Sequence, residues 1–559
     1  MIKIFKANKI VDINLDNPIN KLPKYLMAII KSDWSEIFRT FIFPAINEER
    51  FSVIYSKNSA TRPNSPINII MGLLVLKEML GLTDEELVGS IHFDFRFQYA
   101  LCSTSFEKQP ISINTISNFR SRVMEYYKNT GIDLVKEEVE ALAGVCEKEL
   151  KIKGNTIRID SLMVSSSCKK MSRIELVYQV NFNFIRYLKK YSSISIPSEL
   201  KVYLEKGNKN TTIYRTRNVE AGTKLEYLLE HSLKLYEIGL GAKLMPKEFK
   251  HLERMLNEQT SYEETKTATP KKGEEIKSDS LQNPSDPDAT YREKYGRNIG
   301  YVLNVEEKVD EDNGIIVSYD IEENIHDDIK FAETFVEKTE EQEEELSVLT
   351  DGGYYSDEVN NKAKKKNIKL IPGEIKGRKP DENKISITTF EIDEEKNIVS
   401  KCVSGQKPIE STYNEKEKKY KAKFSKEQCN NCPRVKECRI RKQKNCNIVE
   451  FTEKNYCGAK LREKIITKEY IKISNKRNGV EGIPSVMRRK YNIDNLPVRG
   501  KVCQKFWVGF KIAAYNFVKL VNYSLFFDIL TKTIYFFVNL RNFRYKKLDL
   551  IFYKFTFCV

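Results

Sequence analysis

Histidine is nearly absent: His92, His231, His251 and His326 are the only four in 559 residues. So few imidazoles, so widely spread, leave little material for a His-ligated zinc hydrolase or a Ser-His-Asp triad. Long apolar runs are missing as well. Even the most aromatic stretch, Phe506 to Val559, is broken by Asp528, Lys532 and Arg541 into uncharged runs of about eight residues, whereas a spanning helix needs about 20. That stretch reads as a buried helix, with a membrane-surface helix or a poorly formed terminus as the competing readings, and no membrane partner is expected. The opening MIKIFKANKIVDINLDNP mixes Lys with Asp and has no apolar h-region, which predicts no ordinary secretory leader. Eleven mostly scattered cysteines then fit a reducing cytoplasm. There is no Walker loop, no G-x-G-x-x-G behind a strand and no internal repeat.

What is present is length and positive charge. At roughly 150 residues per domain the chain has room for about three to four domains. Lys and Arg number 94 against 78 Asp and Glu, a net charge of +16. That surplus predicts an anionic partner, of which nucleic acid is the commonest, although acidic membranes share the same charge. With histidine scarce, any chemistry falls to carboxylates.

Residues 60 to 145 read as helical. Ile67, Ile70, Leu73, Leu74, Leu76 and Leu80 recur at helical spacing after Pro66, and Gly81 stops the run. Thr83 with Glu86 forms a capping box, and Ser112 opens a second capped helix carrying Arg120 and Arg122. Basic helices of this kind suit a DNA-docking module, and equally a helical scaffold with solvated charges. At Thr156 the period becomes two, giving a strand through Asp160 to Val164. Helical spacing returns over 173–260. The polar, Pro-containing stretch 258–290 reads as an exposed linker. Strands are expected at 300–305, 314–319, 346–350 and 368–372, with an acidic helix over 322–345. This alternation predicts an α/β sheet covered on both faces.

Asp160 and Asp351 each stand at or just beyond an apolar strand. Brought together on adjacent strands, two carboxylates repel unless a divalent cation neutralises them. Mg²⁺ prefers such oxygen ligands, and a metal pair can activate a water or a 3′-hydroxyl. The competing reading is that each Asp caps a strand-to-helix turn. Glu481 is a third candidate: on one helix Arg477, Glu481 and Arg488 would share a face, the guanidinium groups gripping phosphates. An ordinary surface ion pair is the alternative there. Gly482 and Pro484 predict that the helix restarts or bulges at this point.

In order, Ile-Asp160-Ser, Leu-Thr-Asp351-Gly-Gly-Tyr-Tyr-Ser and Arg477-x3-Glu481-x6-Arg488, followed by Pro497-Val498-Arg499-Gly500, resemble a bacterial insertion-sequence transposase of the DDE type. The Ser112–Arg122 segment is similar to the amino-terminal helical domain of such transposases, and Asp286-Pro287-Asp288-Ala289 and Ala513-Ala514-Tyr515-Asn516 fit them too. The likeness covers roughly residues 40 to 520, with Ser474 where a Tyr is usual and Arg488 where a Lys is usual. It implies an RNase H-like mixed-sheet catalytic domain preceded by an all-helical amino-terminal domain. Asp160, Asp351 and Glu481 would be the catalytic, Mg²⁺- or Mn²⁺-binding residues. Arg120, Arg122, Arg477, Arg488 and Arg499 would contact DNA. The partners implied are double-stranded DNA, as terminal inverted repeats and target, and a second copy of the chain in a DNA-bound dimer.

Cys429, Cys432, Cys438 and Cys446 fall within 18 residues. A C-x2-C pair followed by further cysteines is zinc-like; an iron–sulfur or redox pair and unliganded thiols are the other readings, and Cys402 or Cys457 could replace the fourth ligand. Lys421, Lys423, Arg434, Lys436, Arg439, Arg441, Lys442 and Lys444 surround the cluster as a basic collar. The expected division is a helical DNA-binding domain at 1–145 and a first catalytic part at 150–375, with its helical insertion 173–260 and linker 258–290. A basic Cys-rich insertion at 376–450, catalytic helices at 451–520 and an aromatic tail at 521–559 complete it. The expected function is a DNA transposase that cleaves and joins element ends; the alternative is a catalytically inactive DNA-binding protein.

Overall fold

The computed structural model describes residues 5–9, 17–55, 64–103, 111–215, 217–262, 268–293, 296–311, 313–375, 381, 383–393 and 395–525. Most of the aromatic tail, with Asp528, Lys532 and Arg541, lies outside them. The chain is a mixed α/β protein that divides into two compact units. The first holds residues 1–153, 161–326 and 484–559, and the second 154–160 and 327–483.

In the first unit the expected helices form: α1 Ile67–Leu80, α2 Asp84–Phe93, α3 Phe95–Ala100, α4 Ile113–Thr130 and α5 Leu134–Glu149. Helix α1 is apolar nearly all round and is buried from Ile67 to Leu76, as a helix without a polar face must be. The capping box at α2 is made, Glu86 N–H donating to Thr83 Oγ1 at 3.2 Å and Thr83 N–H to Glu86 Oε2 at 2.8 Å. Thr83→Ala is expected to lower stability by about 1 kcal/mol, read as a shift in the urea midpoint at constant slope.

These helices do not make a separate domain, as 1–145 was expected to. They share a core with the later strands β2 Thr290–Glu293, β3 Arg297–Val309 and β4 Gly314–Glu323, and with the helix over 501–525. Lys136 Nζ of α5 meets Asp320 Oδ1 of β4 at 2.7 Å, and Lys511 Nζ meets Glu78 Oε2 of α1 at 2.5 Å. The Asn516 amide pairs with the Ile316 backbone in both directions, at 2.7 and 3.0 Å. Apolar and polar contacts of such long sequence separation cannot be read from local periodicity.

Strand β1, Thr156–Ser165, is divided at Asp160/Ser161 between the two units. Its first-unit end runs beside β3, Ser166 N–H donating to Ile299 C=O at 3.0 Å, and β3 pairs antiparallel with β4. The region 173–260 forms α6 Arg173–Tyr191, α7 Ala221–Gly241 and α8 Lys247–Gln259 around a core of their own. The stretch 258–290 departs from the exposed linker expected. Leu281, Asn283, Asp286 and Ala289 are each at most 1% exposed, because their polar groups find distant partners; residues 263–267 fall outside the described set.

In the second unit the start of β1 runs parallel to β5 Leu346–Thr350, which runs parallel to β6 Ile368–Pro372. Two helices belong with them, α9 Asp328–Lys338 and α10 Asp357–Lys365. The acidic helix is therefore shorter than 322–345, since Glu322 and Glu323 belong to β4. Beyond β6 come a small hairpin, β7 Glu391–Asp393 with β8 Ile398–Lys401, and an antiparallel sheet of β9 Glu410–Asn414, β10 Lys419–Phe424, β11 Arg441–Lys442 and β12 Asn447–Thr452. Helices α11 Glu453–Ile465 and α12 Lys468–Asn475 follow. Among the described residues no helix is long and apolar enough to cross a membrane.

Candidate active site

The site grows from the register of two parallel strands. Thr156 stands opposite Ser347, Ile157 opposite Val348 and Arg158 opposite Leu349. Asp160 follows Arg158 by two residues on β1, and Asp351 follows Leu349 by two, just past the end of β5. The two half-buried aspartates therefore stand at the same end of neighbouring parallel strands. Asp351 is the first residue past β5. Its Oδ1 accepts the Gly352 N–H at 2.7 Å, and it makes no ion pair with a described residue. Gly352 is required by close approach, since a Cβ there would stand 2.4 Å from the Glu374 carbonyl oxygen.

Glu481 reaches this region by its backbone. Arg158 precedes Asp160 by two residues and shares its face of β1. Its Nη1 donates to the Lys476 carbonyl at 2.7 Å, and the group lies so close to Gly479 that a Cβ there would be 2.1 Å from Nη1. Arg158 thereby fastens to β1 the 3-10 turn Lys476–Glu481, which Glu481 closes. A second tether comes from α12, where the Tyr470 hydroxyl donates to the Pro372 carbonyl at 2.8 Å and burial pushes its pKa up. Ser474 Oγ and Arg477 Nη1 lie 3.6 and 3.7 Å from where a Gly373 Cβ would be. The Arg477 Nε is buried without a hydrogen-bond partner among the described residues. Arg158, Gly479 and Tyr470 were not singled out in the sequence; the Arg two residues ahead of a strand-end Asp is the one signal that could have pointed to them.

Residues 477–488 are not one continuous α-helix. After the 3-10 turn a new helix, α13, runs Gly482–Arg489. Pro484 sits in its first turn, where no backbone donor is required. Arg477 in the 3-10 turn and Arg488 in α13 therefore do not lie on one helix, and the Glu481 side chain falls outside the described set. Arg488 belongs to the first unit and pairs with Asp494 at 3.2 Å while 43% exposed.

The remaining arginines separate by environment. Arg120 is corrected as a DNA contact. It is 9% exposed, its Nη1 and Nη2 fork onto Asp84 at 2.5 and 2.9 Å, and its plane stacks 4.7 Å from the Trp507 ring. Arg122, next on the same helix, is exposed and lies over the Tyr55 ring at 4.9 Å. Arg499 is exposed, with Nε donating to the Ser167 carbonyl at 2.8 Å. Its turn is held by a buried carboxylate that the sequence left in a linker. Asp286 accepts the Tyr301 hydroxyl at 2.6 Å, the Gly500 N–H at 3.0 Å and the Ser166 hydroxyl. Burial, and then Asp286, pushes the Tyr301 phenol far above its usual pKa.

The expected cysteine tetrad is not gathered in the structure. Cys429, Cys432 and Cys438 line one cavity, joined there by Cys402 and not by Cys446. Cys446 lies ahead of β12, its carbonyl accepting the Gln443 N–H at 3.0 Å; Cys457 is exposed on α11. No group of three His, Cys, Asp or Glu side chains among the described residues stands ready to hold a metal ion. Part of the basic collar is neutralised, Lys423 by Glu410 at 2.7 Å and Lys421 by Glu450 at 3.5 Å. Arg434, Lys436, Arg441, Lys442 and Lys444 were read together with them, and all five are exposed. Arg439 Nε donates to the Ile385 carbonyl at 2.9 Å.

Comparison with protein families gives two matches. Residues 29–122 match the family described as Transposase domain (DUF772), and residues 401–521 match the Transposase DDE domain. The first contains Arg120 and Arg122. The second contains the cysteines, Arg477, Glu481, Arg488 and Arg499, while Asp160 and Asp351 precede it and rest on the strand register. No curated protein and no solved structure matches. Two transposase domain families, matched in amino- to carboxyl-terminal order, support an insertion-sequence transposase of the DDE type.

Proposed function

We propose that this transposase cleaves DNA at the element's ends by hydrolysis of a phosphodiester and joins the freed ends by transesterification, in an RNase H-like catalytic domain. The observation that supports the reading is the parallel pairing of β1 with β5, which carry Asp160 and, one residue past its end, Asp351, with the Glu481 turn fastened to β1 by Arg158. The pairings inside each unit suit an RNase H-like sheet, antiparallel where β3 meets β4 and parallel where β1, β5 and β6 run together.

The donor chemistry fits Mg²⁺ or Mn²⁺. Two carboxylates set side by side repel each other unless a cation lies between them, and no described Lys or Arg pairs with Asp351. Asp160, Asp351 and Glu481 would hold the metal, which supplies Lewis acidity and lowers the pKa of an attacking water. The Gly352 N–H fixes the Asp351 carboxylate, and Arg158 fixes the approach of the Glu481 turn. Arg477, half-buried beside Gly373, would contact a phosphate through the outer nitrogens of its guanidinium. Arg122, Arg488 and Arg499 hold flanking duplex by charge, a sequence-independent and salt-sensitive contribution. Two ends must be held at once, so the working form is a homodimer on double-stranded DNA, in the cytoplasm.

The test uses full-length protein and a supercoiled plasmid carrying the element's terminal inverted repeats. Open circles are expected with Mg²⁺ or Mn²⁺ and none in excess EDTA. Cleavage that persists in EDTA overturns the carboxylate–metal assignment. Specific retention on end DNA without cleavage under any divalent ion makes the chain a non-catalytic DNA-binding protein.

A further inference from the structure

Three segments of the first unit, far apart in sequence, are drawn to one buried carboxyl. Asp286 is fully buried, and no described Lys or Arg pairs with it. Three neutral donors satisfy its oxygens: the Ser166 hydroxyl just past β1, the Tyr301 hydroxyl of β3 at 2.6 Å and the Gly500 N–H at 3.0 Å. The same loop holds the segment after β1 a second time, the Asn283 amide donating to the Lys169 carbonyl at 2.9 Å. A buried carboxyl is costly unless its oxygens are engaged, and apolar side chains of similar volume often stabilise a core as well or better. What a fully satisfied buried polar group supplies is one fixed geometry for the backbone it holds.

That backbone is the turn ahead of the helix over 501–525. Gly500 takes a φ of +83° there, the left-handed conformation that favours glycine. The residue two positions earlier is fixed as well. The Val498 carbonyl accepts the Ser167 N–H at 3.3 Å and the amide of the fully buried Gln504 at 3.0 Å. Between these two anchored residues stands Arg499. Its side chain is exposed, and its Nε donates at 2.8 Å to the carbonyl of Ser167, 332 positions earlier in the chain. Nη1 and Nη2 have no hydrogen-bond partner among the described residues. One nitrogen thus sets the plane of the guanidinium, and the other two are left as a fork that suits a phosphate.

We infer that Asp286 is a positioning residue for DNA binding, acting through Arg499. By holding Ser166 and the Gly500 N–H on one carboxyl, it keeps Arg499 beside the Ser167 carbonyl. The guanidinium then meets a DNA phosphate with its orientation already set and little side-chain freedom left to lose. The inference rests on the proposed contact of Arg499 with DNA and extends it to a residue too deeply buried to touch DNA itself.

Equilibrium binding of the full-length protein to duplex DNA at several salt concentrations tests this as a double-variant cycle. Arg499→Ala is expected to lower the salt slope by about one and to weaken binding about fivefold near 0.15 M salt. Asp286→Asn, which keeps the side chain's shape, should weaken binding by a comparable factor and add nothing in the Arg499→Ala background. In the Arg122→Ala background it should still exert its full factor. Weakening of the same size with and without Arg499 would mark a general structural role and overturn the inference, as would wild-type affinity in Asp286→Asn. Those results leave Arg499 on the DNA surface. Wild-type affinity and slope in Arg499→Ala remove Arg499 from that surface, and the role of Asp286 falls with it. Should Asp286→Asn fail to fold, Gly500→Pro replaces it. That change abolishes the N–H that Asp286 accepts and the positive φ, in a half-exposed turn, and its cycle with Arg499→Ala is decided by the same outcomes.

Discussion

Asp160→Asn and Asp351→Asn are each expected to reduce plasmid nicking by roughly 10³-fold or more, about 4 kcal/mol in barrier height, while leaving the protein folded. Asparagine keeps the shape of aspartate and, through its Oδ1, the acceptor that the Gly352 N–H uses at 2.7 Å. What it removes is one of the negative charges proposed to hold the cation. On the proposed assignment both aspartates hold the same cation, so their losses should not add: the double variant should be about as inactive as either single one. Stability should move the other way. Without divalent ions the paired carboxylates repel, and deleting one charge relieves that repulsion, so each variant is expected to melt at the wild-type temperature or above it in EDTA. Mg²⁺ should then raise the melting temperature of wild type more than that of either variant, because a ligand stabilises only what it binds. Nicking within tenfold of wild type by either variant would remove that aspartate from the site. A large loss of melting temperature in EDTA would show a structural role instead.

The strands that carry the candidate aspartates were legible because their signals are local. The runs around Ile157–Ile159 and Leu346–Leu349 are β-branched or aliphatic and short, and an Asp at the end of each is a feature of one strand. The Thr83–Glu86 box likewise needs only four residues. What could not be read depends on partners far away in sequence. Asp286 sits in a stretch whose composition is that of an exposed linker, yet it is fully buried because Ser166, Tyr301 and Gly500 satisfy it. The joining of the amino-terminal helices to β4 and to the helix over 501–525 follows from pairs such as Lys136–Asp320 and Lys511–Glu78, which no periodicity announces. The exchange of Cys446 for Cys402 around the cavity has the same origin, since the turn after β8 returns to the Cys429–Cys438 loop only in three dimensions. One signal was present and missed. Lys419 to Phe424 alternates half-exposed lysines with buried Tyr420, Ala422 and Phe424, the period-two pattern of a strand; read only as positive charge, it was taken for a collar rather than for β10.

Arg120 and Arg122 are neighbours on α4 and were read alike, and the structure predicts that they behave oppositely. Asp84→Asn is expected to lower stability near pH 7 by about 3 kcal/mol, because it strips the carboxylate from a guanidinium whose side chain is 10% exposed and which has no water to turn to. Asp84 also takes Lys77 at 2.9 Å, so one carboxylate serves two cations. The Arg120 hydrogen bonds, followed by those of Lys77, outweigh burial and hold the Asp84 carboxyl well below the usual carboxylate range. A folded-state pKa depressed in this way contributes stability that is complete above the unfolded value, near 3.9, and is lost as the pH falls through the folded value. The gap in unfolding free energy between wild type and Asp84→Asn should therefore be constant from pH 7 to about 5 and shrink below about 4. A gap of the same size at pH 3 and pH 7 would show that the pair's charge is not its contribution. DNA binding separates the two arginines by a different readout. Arg120→Met, which fills the same space against Trp507 without the charge, should leave the affinity of the folded protein for duplex DNA and its salt slope unchanged. Arg122→Ala should weaken binding evenly across sequences and lower the salt slope by about one. A reduced slope in the Arg120 variant would return that residue to the DNA surface.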